Sequence, residues 1–325
     1  MVKEPDLLDE FSPYFSRIDK ELGKVLDSSV SLVKEIGSYS LFGGGKRLRP
    51  LFFILSCKLC DYHKEDIYPL STIFECLHAA SLLHDDVLDK ASIRRGRSSA
   101  NEIWGNSAAV LVGDFLFSKA SSMVVEKEDI GFLKILVSAA ILMTEGQILE
   151  LANTHNWSIT RNEYIGIITS KTAALMSAAC ASAGVIAGAE KGSIRSLKDF
   201  GLNMGKAFQI IDDIFDYTST VDKTGKPIGN DLREGKITLP LIYTLTCIED
   251  REKDRLEHLF KSGLATKKDY MKIIELVRSN GAIKQCRKDA RDYAKLAESS
   301  LRLFPDSSTK ESLLKLNRFI VDRSY

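Results

Sequence analysis

Asp85-Asp86-Val87-Leu88-Asp89 and Asp212-Asp213-Ile214-Phe215-Asp216 repeat one spacing of carboxylates within a chain of 325 residues. A helix advances about 3.6 residues per turn, so the first and last acid of each stretch share a face, about 6 Å apart along the axis. Six acids on two apolar helices are poorly explained by solubility. Divalent ions that hold a polyphosphate explain them better, because hard cations such as magnesium take carboxylate and phosphate oxygen. An acidic pair at this spacing is ordinarily a solvated helix face, but here Leu82, Leu83, Val87 and Leu88 surround the first acids and Arg94-Arg95-Gly96 follows at once. Neighbouring arginines point in different directions, so each planar fork can grip its own phosphate.

The second stretch has a different border. Gln209 lies three residues before Asp212 and near its face, which lets an amide join a metal and phosphate shell. Downstream, Thr224 to Lys236 combines three glycines and a proline with Lys226 and Lys236, the chemistry of a loop that can fold over an anion and exclude water. Gly43-Gly44-Gly45-Lys46-Arg47-Leu48-Arg49-Pro50 joins glycines to three cations, which suits close approach to phosphate. It lacks the spacing of a nucleotide P-loop. Lys171-Thr172 is expected to open a helix, offering a cation and a hydroxyl beside an anion-favouring start.

Helices must position these groups. No proline lies between Pro69 and Pro227, so long helices can run uninterrupted there. Phe74, Leu77, Ser81, Asp85 and Asp89 fall along one helical face, and Phe115, Leu116, Ile135, Leu136, Ile141 and Leu142 recur with similar periods. Turns are expected near Gly96, Gly105, Asp129 to Gly131, and Asn156. The uncharged stretch 172–189 approaches spanning length, but its Ala, Gly and Ser content predicts a buried helix rather than a membrane span. From 248 to 300 the pattern is that of charged amphipathic surface helices. No linker or repeat divides the chain, which predicts one all-α domain over 1–325.

Composition sets bounds. Lys plus Arg number 45 against 44 Asp plus Glu, and a net charge of +1 gives no global attraction to nucleic acid or an anionic membrane. The charged amino terminus lacks the apolar core of a signal peptide, and six scattered cysteines suit reduced, buried thiols, so a cytoplasmic location is expected. Cys57 and Cys60 form a C-x-x-C among core residues with no second pair or His to complete a zinc site. Glu75 and His78 spell a Glu-x-x-His, but a di-iron bundle needs a second one and the chain has none.

Taken together, Gly44 through Pro50, Leu83 through Asp89 with Arg94-Arg95-Gly96, Lys171-Thr172 and Gly205 through Asp216 resemble the trans-isoprenyl diphosphate synthase family of polyprenyl synthetases, over nearly the whole chain. The resemblance implies an all-helical bundle around a deep apolar cavity, usually a homodimer, that joins isopentenyl diphosphate to an allylic diphosphate such as farnesyl or geranylgeranyl diphosphate. By the same resemblance Asp85 and Asp89 would bind two magnesium ions and Asp212 a third, with Asp86, Asp213 and Asp216 in support. Arg94, Lys171, Thr172, Gln209, Lys226 and Lys236 would hold the allylic diphosphate, and Lys46, Arg49, His78 and Arg95 the isopentenyl diphosphate. The catalytic set would be Asp85, Asp86, Asp89, Asp212, Lys171 and Arg94. His84 is left a structural role.

Product length is the remaining variable. In this family bulky residues four and five positions before the first aspartate limit growth, and here they are Ser81 and Ala80. Leu77 and Phe74 are the next candidates for a floor, Phe74 lying about 16 Å down the helix from Asp85. Phe52 and Phe132 are expected to close the tunnel deeper. This favours a long-chain product of the octaprenyl type, as for a respiratory quinone side chain delivered to a membrane. The alternatives are a geranylgeranyl diphosphate synthase, a terpene cyclase or head-to-head synthase, and a noncatalytic partner subunit. The second DDxxD and the arginine pair argue against the cyclase, and the partner subunit should have lost some of these acids or arginines.

Overall fold

The proline spacing is reflected directly in the helix lengths. The computed structural model describes residues 9–218 and 228–323. In chain order it contains α1 (Ser12–Val25), α2 (Ser31–Leu41), α3 (Leu48–Leu59), α4 (Ile67–Leu88), β1 (Ile93–Arg94), β2 (Arg97–Ser98), α5 (Ala100–Trp104), α6 (Asn106–Glu126), α7 (Ile130–Ala152) and α8 (Arg161–Ile168). A π-helical turn, Thr169–Ala173, joins α8 to α9 (Ala174–Ile186). There follow α10 (Lys191–Thr218), α11 (Asn230–Arg233), α12 (Leu239–Leu245), α13 (Asp250–Lys261), α14 (Lys267–Ser279), α15 (Ala282–Ser300) and α16 (Ser308–Asp322). The described residues form an all-α fold with one two-strand ribbon.

Local chemistry explains the boundaries. Pro69 stands in the first turn of α4, where its missing N–H costs no helical hydrogen bond. The Asp129 carboxylate caps α7 by accepting from Phe132 N at 2.9 Å, and Thr160 with Glu163 forms a capping box at α8. The charged 248–300 segment folds as α13, α14 and α15, each burying a few residues such as Leu256, Ile274 and Ala290.

Two apolar clusters flank α3 and α9, and both helices contribute to each. The small-residue stretch is the buried helix α9, as its composition predicts: Ala174 through Gly184 are all buried, so neighbouring helices can pack close around it. In one cluster Phe53, Phe74 and Phe132 form a ring triad, with centroids 5.3 Å (Phe53 to Phe74), 6.3 Å (Phe74 to Phe132) and 6.4 Å (Phe53 to Phe132) apart. Phe52 does not join it. Successive residues on a helix diverge by about 100°, so Phe52 points into the other cluster, where it meets Phe200 edge-on at 5.9 Å. Phe53 occupies the position the sequence suggested for Phe52.

The stretch between the arginines is not helical. Ile93 pairs with Ser98 and Arg94 with Arg97 in a two-strand ribbon, although no strand is expected near the acids. The turn residues Arg95 (φ 52) and Gly96 (φ 76) both adopt positive φ, which is the geometry of a tight hairpin turn.

Candidate active site

Both aspartate motifs reach a single cavity of about 1130 Å³. One wall is the end of α4, with Asp85 and Asp89; the facing wall is α10, with Asp212. Below the acids the walls turn apolar, through Ala80, Ser81 and Leu77 on α4 and Ala140 and Met143 on α7. Leu77 is the deepest of the suggested chain-length residues that lines the cavity. Phe74, Phe132 and Phe52 are buried and do not line it; Phe74 and Phe132, with Phe53, lie in the ring triad farther down the same helices.

Cations bridge the acids. Lys171 Nζ stands 3.9 Å from Asp85 Oδ2 and 2.5 Å from Glu150 Oε2. Lys236 Nζ stands 2.8 Å from Asp89 Oδ2, 2.7 Å from Glu234 Oε2 and 3.8 Å from Glu150 Oε2. Burial opposes the Lys236 charge, but Glu150, Glu234 and Asp89 together hold its ammonium well above the ordinary lysine range. Burial pushes the Asp85 carboxyl up, Lys171 works against this, and Asp89 and Glu150 reinforce it. Asp212 is also pushed up by burial, with Arg323 opposing. Arg323 Nη2 donates to Asp212 Oδ1, and its guanidinium lies 4.5 Å from the Phe208 ring centre.

The remaining acids are spent on positioning. Asp86 is buried and accepts from Arg94 Nε at 2.7 Å, aiming that guanidinium at the cavity. Being one position from Asp85, it points away from the face shared by Asp85 and Asp89 and holds Arg94. Asp213 accepts from Tyr164 OH at 2.6 Å and from Gln209 Nε2 at 2.8 Å, and Gln209 Oε1 accepts from Thr172 Oγ1 at 2.8 Å. Burial and the Asp231 carboxylate push Asp213 well above the carboxylate range, and push Asp216 up to about 9.

Lys171 and Thr172 do not open a helix. They sit in the π turn within a continuous helical run from α8 to α9, so no free N-terminus faces the cavity there. The wider turn packs against α7 and α10 and brings the two side chains to the acids.

Lys46, Arg49, His78 and Arg95 line the same cavity, with Lys46 and Arg49 near enough to Asp212 to act on its charge. Arg49 Nε is buried without an acceptor among the described residues, an unspent donor that suits an anion. Burial, then the charges of Arg49, Arg95, Arg94 and Arg47, hold His78 well below the ordinary histidine range, so its imidazole is neutral. Arg95 packs over Gly45, where a β-carbon would stand 3.1 Å from Nη1. Arg47 is not part of this set, because it is buried against Asp19 and Glu75, each at 2.9 Å. Glu75 is thereby committed to an ion pair. His84 ties α4 to α6 through Val110 O at 3.2 Å. Lys226 lies outside the described residues.

Among the described residues no group of three His, Cys, Asp or Glu side chains closes on one ion. The carboxylates nevertheless fit magnesium, which keeps waters and takes one or two carboxylates plus substrate phosphate. Asp85 and Asp212 are desolvated acids that need a cation, and lysine or arginine answers them here.

Glu150 and Arg323 are the site residues that sequence reasoning missed. An acid at position 150 of α7, a helix that also carries Lys134 and Glu145, is a weak signal. Arg323 has none, since its partner is 111 residues away.

The polyprenyl synthetase family model matches residues 30–277. The chain is 36% identical to the all-trans-nonaprenyl-diphosphate synthase (geranyl-diphosphate specific) of Rhodobacter capsulatus, over 98% of this chain and 97% of that protein. It is 34% identical to the octaprenyl diphosphate synthase of Escherichia coli K12, over 92% of each. The polyprenyl synthase of Caulobacter crescentus CB15, crystallised with calcium and isoprenyl diphosphate, superposes with a TM-score of 0.93 at 35% identity, covering 98% and 97% of the two chains.

Proposed function

Since the chain belongs to the polyprenyl synthetase family, we propose that it is a long-chain trans-prenyl diphosphate synthase. It would condense isopentenyl diphosphate head to tail onto farnesyl or geranylgeranyl diphosphate, giving octaprenyl diphosphate. The observation that carries this is one cavity with two separate cation sets above an apolar shaft. Lys171, Lys236 and Arg94 border the acids, while Lys46, Arg49, His78 and Arg95 line the same cavity, so two diphosphates have distinct seats.

The mechanism follows from those seats. Lys171, Lys236 and Arg94 hold the allylic diphosphate, and Thr172 and Gln209 add polar contacts. Magnesium held by Asp85, Asp89 and Asp212, three ions in all, would supply the charge that eases departure of the diphosphate. The cations of the chain stabilise the same developing charge in a site walled from water, which lowers the cost of breaking the carbon to oxygen bond. The isopentenyl double bond, presented by the other seat, attacks the allylic cation and forms the new carbon to carbon bond. A proton then passes to the released diphosphate, the base that the reaction itself supplies. Ala80 and Ser81 leave the shaft open as the product lengthens, and Leu77 with the triad beneath it ends growth.

We read the molecule as a single domain over 1–325 and as a cytoplasmic homodimer. Helices 106–126, 130–152 and 161–186 are long and apolar enough to cross a membrane. The last is mostly buried, but α6 and α7 turn outward Leu111 (66% exposed), Ile130 (62%) and Leu151 (65%). The inner face of α7 carries Glu150 into the cavity, so its outer face is better covered by a second copy than by lipid.

Supplying magnesium, labelled isopentenyl diphosphate and farnesyl or geranylgeranyl diphosphate tests this reading. A ladder ending near forty carbons is expected. No condensation from either starter returns the chain to the partner-subunit alternative.

A further inference from the structure

The last acid of the second aspartate motif spends both oxygens on main chain. Asn230 N donates to Asp216 Oδ1 at 3.0 Å and Asp231 N donates to Oδ2 at 3.2 Å, while Gly229 N donates to Asp216 O at 2.9 Å. The connection continues from the same residue, because Asp231 O accepts from Lys236 N at 2.8 Å. Lys236 Nζ then reaches Asp89 Oδ2 at 2.8 Å. A single run of hydrogen bonds therefore passes from Asp216, through one residue of backbone, to the first aspartate motif on the other wall.

The segment is gripped from its far end as well. Gly235 (φ +77) donates to Leu232 O at 3.1 Å and accepts from His155 N at 2.8 Å, and a β-carbon on it would stand 2.5 Å from the His155 ring. A lysine side chain alone is a long and flexible lever. With its own N–H fixed by Asp231 and the preceding residue fixed by His155, Lys236 is presented from a rigid base.

We propose that Asp216 is a positioning residue: by holding the Asp231 peptide it sets where Lys236 stands beside Asp89, and so couples the two aspartate motifs. This rests on the prenyl-transfer reading, in which Lys236 holds the allylic diphosphate. On it, the third acid of the second motif acts on affinity for that diphosphate, through backbone, and is not itself a magnesium ligand.

The test is a double-mutant cycle with Asp216→Ala, Lys236→Ala and the double variant. Calorimetric Kd is measured for a thiolodiphosphate analogue of farnesyl diphosphate, beside the magnesium concentration for half-maximal rate and hydrogen exchange at the Asn230, Asp231 and Lys236 amides. Asp216→Ala should weaken analogue binding roughly tenfold, as loss of the two main-chain hydrogen bonds that place Lys236 implies. It should also speed exchange at those amides and leave the magnesium requirement within about twofold. The double variant should bind no more weakly than Lys236→Ala alone, since both changes disable one device. Asp216→Asn, which keeps one acceptor but turns an NH2 toward a donor, should fall between and serves if the alanine variant does not fold.

Losses that multiply in the double variant, or a raised magnesium requirement at unchanged Kd, would overturn the proposal. Failure of the wild-type protein to bind the analogue would instead remove the prenyl-transfer reading. Amide exchange in Asp216→Asn separates the two failures, because it reports the backbone bracket without substrate.

Discussion

The guanidinium of Arg323, the residue that ends α16, lies buried against the carboxylate of Asp212, the first acid of the second motif. The arginine meets the carboxylate on which a divalent ion is proposed to bind, and it is sandwiched near Phe208 and Phe215, 4.5 Å and 5.2 Å from their ring centres. It therefore serves as a resident counter-ion. Arg323→Ala should destabilise the metal-free protein by about 1 to 2 kcal/mol, a value kept below that of a fully buried pair because the Asp212 side chain is 37% exposed to the cavity. Magnesium should then raise the Tm of the variant more than that of the wild type. Equal magnesium shifts would mean that arginine and metal do not compete.

Glu150 stands between two lysines proposed to hold phosphate, 2.5 Å from Lys171 and 3.8 Å from Lys236. Glu150→Gln removes a negative charge from an anion seat and loosens the hold on Lys171 most, since Lys236 keeps Asp89 and Glu234. Without metal, allylic diphosphate analogues should bind several-fold tighter, about 1 kcal/mol, while the magnesium requirement rises. Calorimetry with and without EDTA measures both arms, and unchanged metal-free affinity would show that the lysines are not restrained by Glu150.

Product length should follow the ring triad. Phe74→Ala opens the shaft below Leu77 and should lengthen the product by one or more isoprene units, at a stability cost of about 3 to 5 kcal/mol. Phe52→Ala, which empties a site beside Phe200, should cost comparable stability and leave the product ladder where it was. Chromatography of the hydrolysed products distinguishes the two, and a longer ladder from Phe52→Ala would contradict the geometry.

Acid stability should carry the mark of His78. Its folded pKa is well below the ordinary 6.5, so on acidification the unfolded chain takes the proton first. The stability from this group is complete above about pH 6.5 and is lost as pH falls below it, by up to about 1.4 kcal/mol per unit. His78→Asn cannot titrate and should lose less stability than wild type between pH 7 and pH 5. Urea midpoints that fall in parallel would show that the imidazole is not held neutral.

The outward face of α6 and α7 predicts the assembly. Ile141, 54% exposed at the middle of α7, should be central to a copy-to-copy contact. Ile141→Glu should halve the mass measured by light scattering at micromolar concentration. A wild-type monomer under the same conditions would refute the homodimer.

Much of this molecule was legible from spacing alone. The acid faces of α4 and α10, the buried small-residue helix α9 and the amphipathic helices after 248 all follow from the helical period, which is set by neighbours three or four residues away. The basic residues Lys46, Arg49, Arg94 and Arg95 could be chosen in the same way, by type and by nearness to glycine or to an acid run. The resemblance of these motifs to polyprenyl synthetases then supplied the pairing of substrates with seats, which no local rule contains.

What only the tertiary structure decided are the relations between distant or adjacent side chains. Arg323 with Asp212, Glu150 with Lys171 and Lys236 with Asp89 join segments whose approach depends on how whole helices pack, and no local pattern carries that information. Neighbours in sequence also part ways: Asp86 turns from the face of Asp85 to hold Arg94, Phe53 replaces Phe52 in the triad, and Arg47 leaves the glycine-rich cations for Glu75. Each divergence is a rotation of about 100° per residue about a helix axis, or a single left-handed turn residue such as Arg47 at φ 47. Which side of that rotation faces the cavity is decided by the helix packed against it.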